Sequence, residues 1–195
     1  MLLEGFGRPL VISAGVCGGL DPKVKRGTVV LPETVIGIRG ERCGVTVVQH
    51  RRYVEAFERW GIPFAEGMLA TAAEVVASPD AKAALREATG AVAVDMESEL
   101  ILRAASEAAC PALVLRGVSD DASDGLPLEL LSLVTRDGRL RKGRAAAVIL
   151  KHPTILARAL MLQRATHLAL LAVAKAIQKT QVIGAIERAV EDNLR

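Results

Sequence analysis

The stretch AVAVDMESELILRAASEAACPALVLRGVSDDASD, residues 91–124, decides the fold of this chain. Ala91–Val94 is a short apolar run, and the residues after it carry apolar side chains at the three- and four-residue spacing of a helix. Cys110-Pro111 ends that helix, because the residue before a proline is pushed out of the α region. Ala112–Leu115 is a second apolar run. The stretch therefore predicts a strand, a helix and a second strand.

A connection of this length predicts that the two strands lie parallel and adjacent in one sheet. Their carboxyl ends would then meet at one edge, where ligands of open α/β sheets bind. Four carboxylates, a methionine and a serine follow the two strands, namely Asp95, Met96, Glu97, Ser119, Asp120 and Asp121. We therefore expect the functional site at this edge.

The composition favours one α/β domain. The 195 residues suffice for a single domain, 1–195, which we divide into an αβ core, 1–125, and a helical C-terminal region, 126–195. Hydrophobic residues make up 51% of the chain but aromatic residues only 3%. A core built from Ala, Val, Leu and Ile suits a buried parallel sheet covered by helices.

Three cysteines, Cys17, Cys43 and Cys110, are an odd number and lack CxxC spacing. They predict neither a disulfide framework nor a zinc site, and they fit a reducing cytoplasm. Met1–Arg8 lacks the basic and then apolar pattern of a secretory signal. We therefore expect a cytoplasmic protein without a metal site.

Charge is unevenly distributed along the chain. Arg136–Lys179 carries a net charge of +9, whereas the remainder carries −6. This basic segment predicts either a helix that lies on the inner face of a membrane or a solvated basic face whose apolar side packs on the sheet. Its longest uncharged run, Leu168–Ala174, is too short to span a bilayer, which needs roughly 20 apolar residues.

Further strands and helices are predicted along the rest of the chain. Pro9–Ser13 predicts a strand that runs into glycines, where we expect either a tight turn with positive φ or a backbone close to a ligand. Arg51–Trp60 predicts a helix, and we assign its aromatic residues to the core rather than to nucleic-acid bases. Ser78–Thr89 predicts a helix that Ser-Pro begins and Gly90 ends. The other predicted strands are Thr28–Leu31, Val35–Ile38, Val45–Val48 and Phe64–Thr71, and the other predicted helices are Leu126–Val134, Ala145–Leu150 and Pro153–Gln178.

Three sequence blocks resemble one known family. They are SAGVCGGLDPKVKRGTVV at Ser13–Val30, AVAVDMES at Ala91–Ser98 and LVLRGVSDDASD at Leu113–Asp124. In this order they resemble the superfamily of purine nucleoside phosphorylases and 5′-methylthioadenosine/S-adenosylhomocysteine nucleosidases. The resemblance covers roughly Pro9–Asp124 and implies a three-layer αβα fold around a central mixed, largely parallel sheet. It also implies an N-terminally short chain that lacks the first strands, since family members begin with another strand and a glutamate that positions the attacking water.

The resemblance implies an enzyme that cleaves the N-glycosidic bond of an adenosine and releases adenine. Asp120 matches the family's acid toward N7 of the purine, and such an acid must hold a proton when the base leaves. Glu97 matches the glutamate that binds the ribose hydroxyls, and Met96 matches the apolar residue beneath the ribose. Val75 and Val76 match the position that holds the base, where the family often has an aromatic side chain.

The sugar or phosphate side of the site is implied by the same resemblance. Gly18 and Gly19 are expected to line it, and Ser119 is expected to bind substrate beside Asp120. No metal or organic cofactor is implied, although inorganic phosphate is a co-substrate if the reaction is a phosphorolysis. Water and phosphate both stay open as the nucleophile, because Val16 is apolar where nucleosidases often carry a small polar residue. The family commonly builds its sites near subunit contacts, so we expect a homo-oligomer.

The C-terminal sequence LPLELL…RDGRLRKGRAAAVILKHPTILARALML resembles a narrower subgroup, the hopanoid-associated phosphorylases. This implies adenosylhopane, an adenosine that carries a triterpene lipid at C5′, as the substrate. The alternative substrates are 5′-methylthioadenosine and S-adenosylhomocysteine. A lipid-linked nucleoside would meet the basic C-terminal region described above.

The same residues also suit purely structural roles. Asp95 and Glu97 would suit caps of the following helix, and Arg116 would suit a partner for one of them. The acidic loop 120–124 would suit a metal cluster or a surface loop without a ligand. The chain as a whole would also suit a non-catalytic remnant that serves as a binding or oligomerisation domain.

Overall fold

The structure, a computed structural model, describes residues 8–126 and 153–193, with side chains for 160–180 of the last helix. The strands are β1 (Val11–Gly19), β2 (Val29–Val30), β3 (Thr34–Ile36), β4 (Arg42–Gly44), β5 (Phe64–Ala65), β6 (Met68–Thr71), β7 (Ala93–Asp95) and β8 (Ala112–Asp120). The helices are α1 (Val47–Arg59), α2 (Pro79–Thr89), α3 (Ser98–Glu107) and α4 (Pro153–Asn193). The predicted helix at Ala145–Leu150, and all of Leu126–Val134 except its first residue, lie outside the described residues. The division at residue 125 stays a prediction.

The eight strands form one mixed sheet in the order β4-β3-β6-β7-β1-β8-β2-β5. Four pairs are parallel, namely β1/β8, β2/β5, β3/β6 and β6/β7. Three pairs are antiparallel, namely β1/β7, β2/β8 and β3/β4. The predicted α/β class and its mixed, largely parallel sheet are confirmed.

The two strands around the 91–124 helix are not neighbours, so their predicted parallel pairing is wrong. β1 lies between them and pairs parallel with β8 from Val11 opposite Ala112 to Gly18 opposite Asp120. The last residues of β1 also pair antiparallel with β7, with Gly18 opposite Val94. The length of a crossover shows that two strands can share a sheet, but it does not show that an earlier strand is inserted between them.

Helices cover both faces of the sheet. On one face, the Arg116 side chain donates to Ser98 at the start of α3. On the other face, Gly117 lies against α4, where an added Cβ would collide with the Ala169 carbonyl oxygen. Neighbouring strand residues point to opposite faces, so α3 and α4 lie on opposite sides of β8. This gives the predicted three layers, and glycine at 117 lets the α4 backbone pack directly on the strand.

Helix α4 is apolar on two sides. Ala169, Val173 and Ala176 are buried against the sheet, whereas Met161 and Leu168 are both 62% exposed. Within the described residues, Leu160–Thr180 has a mean hydropathy of 1.3 and is long and apolar enough to cross a membrane by length and composition. The expectation drawn from Leu168–Ala174 concerned the uncharged run alone, whereas the longer segment stays apolar on average despite the charges that flank this run.

Helix α2 begins and ends as its sequence predicts. Ser78 Oγ accepts a hydrogen bond from the Ala81 N–H, and proline occupies the first turn. Gly90 ends the helix in the left-handed region with φ of 69°. The position of α2 matters for the site, because one of its side chains reaches the end of β8.

Two predicted strands differ from the observed ones, and Trp60, which was assigned to the core, is 49% exposed. The strand predicted at Val45–Val48 is β4 at Arg42–Gly44 instead, because α1 already begins at Val47. The strand predicted at Phe64–Thr71 is divided into β5 and β6 by Gly67, whose φ of 128° interrupts the extended backbone. The start of α1 causes the first difference between strands and the turn at Gly67 causes the second, and apolar runs alone reveal neither.

Candidate active site

A β-bulge at the end of β8 sets the position of Asp120. Val118 lies opposite Cys17 and Asp120 lies opposite Gly18, so Ser119 is bulged out of register. Ser119 Oγ lies 3.2 Å from the Cys17 carbonyl oxygen and 2.7 Å from Oδ1 of Asp120. Bulges of this kind often re-aim a side chain beside an active site. Here the bulge places the Asp120 carboxylate at the wall of a cavity.

The glycines of β1 make room rather than a turn. Gly15, Gly18 and Gly19 belong to the strand, and none of them has positive φ. An added Cβ at Gly18 would come within 3.1 Å of Asp120 Oδ2, so a side chain there would press on the carboxylate. At Gly19, an added Cβ would come within 3.2 Å of the Asp120 carbonyl oxygen. The predicted tight turn is therefore wrong. Glycine occupies positions 18 and 19 because Asp120 lies close to the backbone there.

A cavity of about 200 Å³ lies where β1, β7 and β8 end. Seven of the eight predicted site residues line it: Gly18, Val75, Val76, Met96, Glu97, Ser119 and Asp120. Gly19 does not line it. The predicted convergence of these side chains is therefore observed, although β7 and β8 are not neighbours.

Asp95 and Glu97 leave the end of β7 with different partners. Asp95 is buried and accepts hydrogen bonds from the Ser98 N–H and from Arg116 Nε at 2.7 Å, so the capping and pairing alternatives hold for it. Glu97 is exposed and its side chain makes no capping hydrogen bond to α3. The Glu97 carboxylate therefore lines the cavity without serving as a helix cap.

Lys82 of α2 is a site residue that the sequence patterns did not reveal. Its side chain is 1% exposed, and Nζ donates to Asp120 Oδ2 at 2.5 Å. The same Nζ donates to the carbonyl oxygens of Asp121 and Asp124 at 2.7 and 3.1 Å. The available signal was a lysine three residues before Leu85, on the side of α2 that packs inward.

The acidic loop after β8 is held by protein groups. Asp121 Oδ1 accepts from the Arg26 N–H at 2.7 Å. Asp124 Oδ2 accepts from the Asp121 N–H at 2.7 Å and lies 3.7 Å from Arg26 Nε. In the described ranges, no three His, Cys, Asp or Glu side chains come together as metal ligands. These hydrogen bonds and the Arg26 contact fit the surface-loop alternative for Asp121 and Asp124.

An apolar groove of about 540 Å³ adjoins the cavity. The two share Glu74, Val75, Val76 and Leu126 as walls. A larger cavity of about 610 Å³ lies elsewhere, against Pro79, Arg86 and Ser123. We place the site in the smaller cavity, because the strand ends and the carboxylates converge there.

A sequence model of the phosphorylase superfamily matches residues 1–151 of the chain. The chain belongs to the phosphorylase superfamily. This family assignment agrees with the mixed sheet and with the position of the cavity at the strand ends. No curated protein matches the sequence.

Solved structures support the superfamily fold. Futalosine hydrolase of Helicobacter pylori strain 26695 is 16% identical, with a TM-score of 0.65 over 87% of this chain and 66% of that chain. The 5′-methylthioadenosine/S-adenosylhomocysteine nucleosidase of Neisseria meningitidis, in complex with methylthio-immucillin-A, is 17% identical, with a TM-score of 0.65 over 88% of this chain and 68% of that chain. The chain therefore spans about two thirds of the length of these structures. At such identities the similarity shows a shared fold.

Proposed function

We propose that this member of the phosphorylase superfamily cleaves the N-glycosidic bond of a 5′-substituted adenosine and releases adenine. The observation that carries the proposal is Asp120, which lies beside the bulge at the wall of the cavity and whose carboxylate is bound by Lys82. Breaking this bond leaves negative charge on the purine, and a proton from Asp120 neutralises it. General acids of this kind contribute about 10²- to 10⁴-fold to a rate.

The other cavity residues would bind the sugar and the base. Glu97 accepts hydrogen bonds from the ribose hydroxyls, since an exposed carboxylate at the cavity wall is a strong acceptor for a diol. Met96 packs against the ribose, and Val75 and Val76 hold the base. Ser119 keeps Asp120 Oδ1 in place at 2.7 Å. Gly18 lines the sugar or phosphate side, and Gly19 allows the Asp120 backbone to approach β1 closely.

The 5′ substituent is proposed to be apolar and lipid-like, as in adenosylhopane. Support comes from the apolar groove beside the cavity and from the exposed apolar side chains of α4, among them Met161 and Leu168. Such a substrate would bring the enzyme to the inner face of the membrane, where the basic residues of 136–179 would meet anionic lipid. The alternative substrate is 5′-methylthioadenosine or S-adenosylhomocysteine, since a nucleosidase named for these compounds has a similar fold. A cytoplasmic homo-oligomer is proposed in either case.

Adenine release tests the proposal. The wild-type chain is incubated with 5′-methylthioadenosine or with an adenosine bearing a long apolar 5′ chain, each with and without phosphate, and adenine is measured by chromatography. We expect faster release from the apolar substrate. Phosphate dependence would identify phosphorolysis, and release without phosphate would identify hydrolysis. If the folded chain releases adenine from neither substrate, the proposal is wrong and a non-catalytic binding or oligomerisation domain is favoured.

A further inference from the structure

We propose that Lys82 is a positioning residue that supplies Asp120 with the proton that the leaving base takes. This inference rests on the proposed function of the site. It concerns a side chain that lies almost wholly inside the protein and whose charged end meets the proposed acid directly.

Three acceptors surround Lys82 Nζ. They are Oδ2 of Asp120 at 2.5 Å and the carbonyl oxygens of Asp121 and Asp124 at 2.7 and 3.1 Å. An ammonium group has three N–H donors, so this arrangement uses all of them. A neutral amine would leave one acceptor without a donor. The acceptor geometry therefore selects the ammonium form, which holds a transferable proton beside Asp120.

Among the described residues, Asp120 is the one residue whose carboxylate contacts Lys82. Asp121 and Asp124 offer Lys82 only their carbonyl oxygens, because their carboxylates face Arg26 and the loop backbone. Ser119 donates to the other oxygen of Asp120. Lys82 thus also ties α2 to the 121–124 loop and fixes where the Asp120 carboxylate points.

The proton transfers balance without any further reactant. As the bond between the sugar and the base breaks, its electron pair goes to the base, and water or phosphate forms the new bond at the sugar carbon. Lys82 Nζ gives a proton to the ionised Asp120 carboxylate and becomes a neutral amine, and N7 of the base takes a proton from Asp120, which returns to the carboxylate. Water returns a proton to Lys82 after adenine leaves. Lys82 does not touch the substrate in this scheme and acts only through Asp120.

The first test compares Lys82→Met with Arg86→Met. Arg86 is one turn further along α2 and pairs with Asp21 at 2.6 Å at the surface, so it controls for loss of a cation from the same helix. We expect Lys82→Met to lower kcat for adenine release by about 10²-fold, in the range of one general-acid contribution, with KM little changed. Arg86→Met should keep the wild-type rate. If the rate of Lys82→Met is instead within about twofold of the wild-type rate, the inference is wrong.

Two further readouts separate proton supply from structural support. In Lys82→Met/Asp120→Asn, the rate should be no lower than in Asp120→Asn alone, because Lys82 acts through Asp120. The activity of Lys82→Met should fall with rising pH over a range in which the wild-type activity is flat, because Asp120 in the variant must take its proton from solvent. Additive losses together with an unchanged pH profile would indicate a purely structural lysine and overturn the inference.

Circular dichroism shows whether Lys82→Met folds. If it does not fold, the pH profile of the wild type tests the inference. We expect wild-type kcat/KM to persist well above the range in which a lone carboxyl loses its proton, about pH 4. A fall in that acidic range would contradict the inference. Absence of adenine release by the wild type would instead reject the proposed function itself, whereas an active wild type with an equally active Lys82→Met rejects only the role of Lys82.

Discussion

Strand β8 carries two buried ion pairs that differ in their surroundings. Arg116 and Asp95 have side-chain exposures of 3% and 0%, whereas Lys82 and Asp120 have exposures of 1% and 8%. The Asp95 carboxylate is also bonded by Thr71 and Ser98. Both residues lie at the cavity, but the Asp95 side chain is fully enclosed, whereas 8% of the Asp120 side chain is exposed. The difference teaches that a carboxylate enclosed by protein donors stabilises the fold, while one that keeps a face open can act on a ligand.

Removing the cation of the enclosed pair should have the largest effect on stability. Arg116→Met leaves Asp95 buried without its charged partner and leaves Ser13 without the Arg116 donor. Loss of one member of a buried pair costs about 3–5 kcal/mol of unfolding free energy. Urea unfolding followed by circular dichroism measures it. A loss below about 1 kcal/mol, the value of an exposed pair, would erase the contrast between the two ion pairs.

Glu97→Gln should affect catalysis but not folding. The side chain is exposed and caps no helix, so its charge is free for the sugar. A charge-assisted hydrogen bond contributes about 1.5–3 kcal/mol, which corresponds to about 10- to 100-fold in kcat/KM. Glu107→Gln, at the exposed end of α3, is the matched control and should behave as wild type. Equal kcat/KM values for the two variants would remove Glu97 from the site.

Labelling of Cys17, which is close to charged residues of both ion pairs, should give the smallest of the predicted effects. Burial raises the pKa of the Cys17 thiol, and the nearby Arg116 offsets only part of that rise. A raised pKa keeps the thiol neutral through about pH 8, and the thiolate is the reactive form. We expect iodoacetamide to label Cys17 far more slowly in the folded protein than in urea, as measured by peptide mass spectrometry. Equal labelling rates would indicate that the strand ends are open to solvent.

The sequence predicts those parts of the fold that short-range chemistry controls. Ser78 and Gly90 mark the ends of α2, because a capping hydroxyl and a left-handed glycine act within one turn. The sequence also predicts that Met96, Glu97 and Asp120 lie near one another, because each follows or ends a strand and the ligand site of an open α/β sheet lies at the carboxyl ends of its strands. The family blocks carried the same information about these positions.

Tertiary packing decides what the sequence did not reveal. The insertion of β1 between β7 and β8 depends on pairing across about a hundred residues of chain, and spacing within 91–124 contains no trace of it. The bulge at Ser119 is a register difference between two strands rather than a property of either one. Lys82 reaches Asp120 only because α2 packs beside the end of β8. An isolated lysine on a helix predicts a solvated side chain unless that packing is known.

Adenine release under single-turnover conditions by Asp120→Asn and Asp95→Asn, at equal folded fraction, tests the central claim most directly. Both variants replace an ion-paired carboxylate by an amide of the same shape. Asp120→Asn should lose about 10²- to 10⁴-fold in rate, because it removes the acid that faces the cavity. Asp95→Asn should keep the rate within a few-fold while losing stability. Retention of the rate by Asp120→Asn, or an equal loss in both variants, would contradict the account.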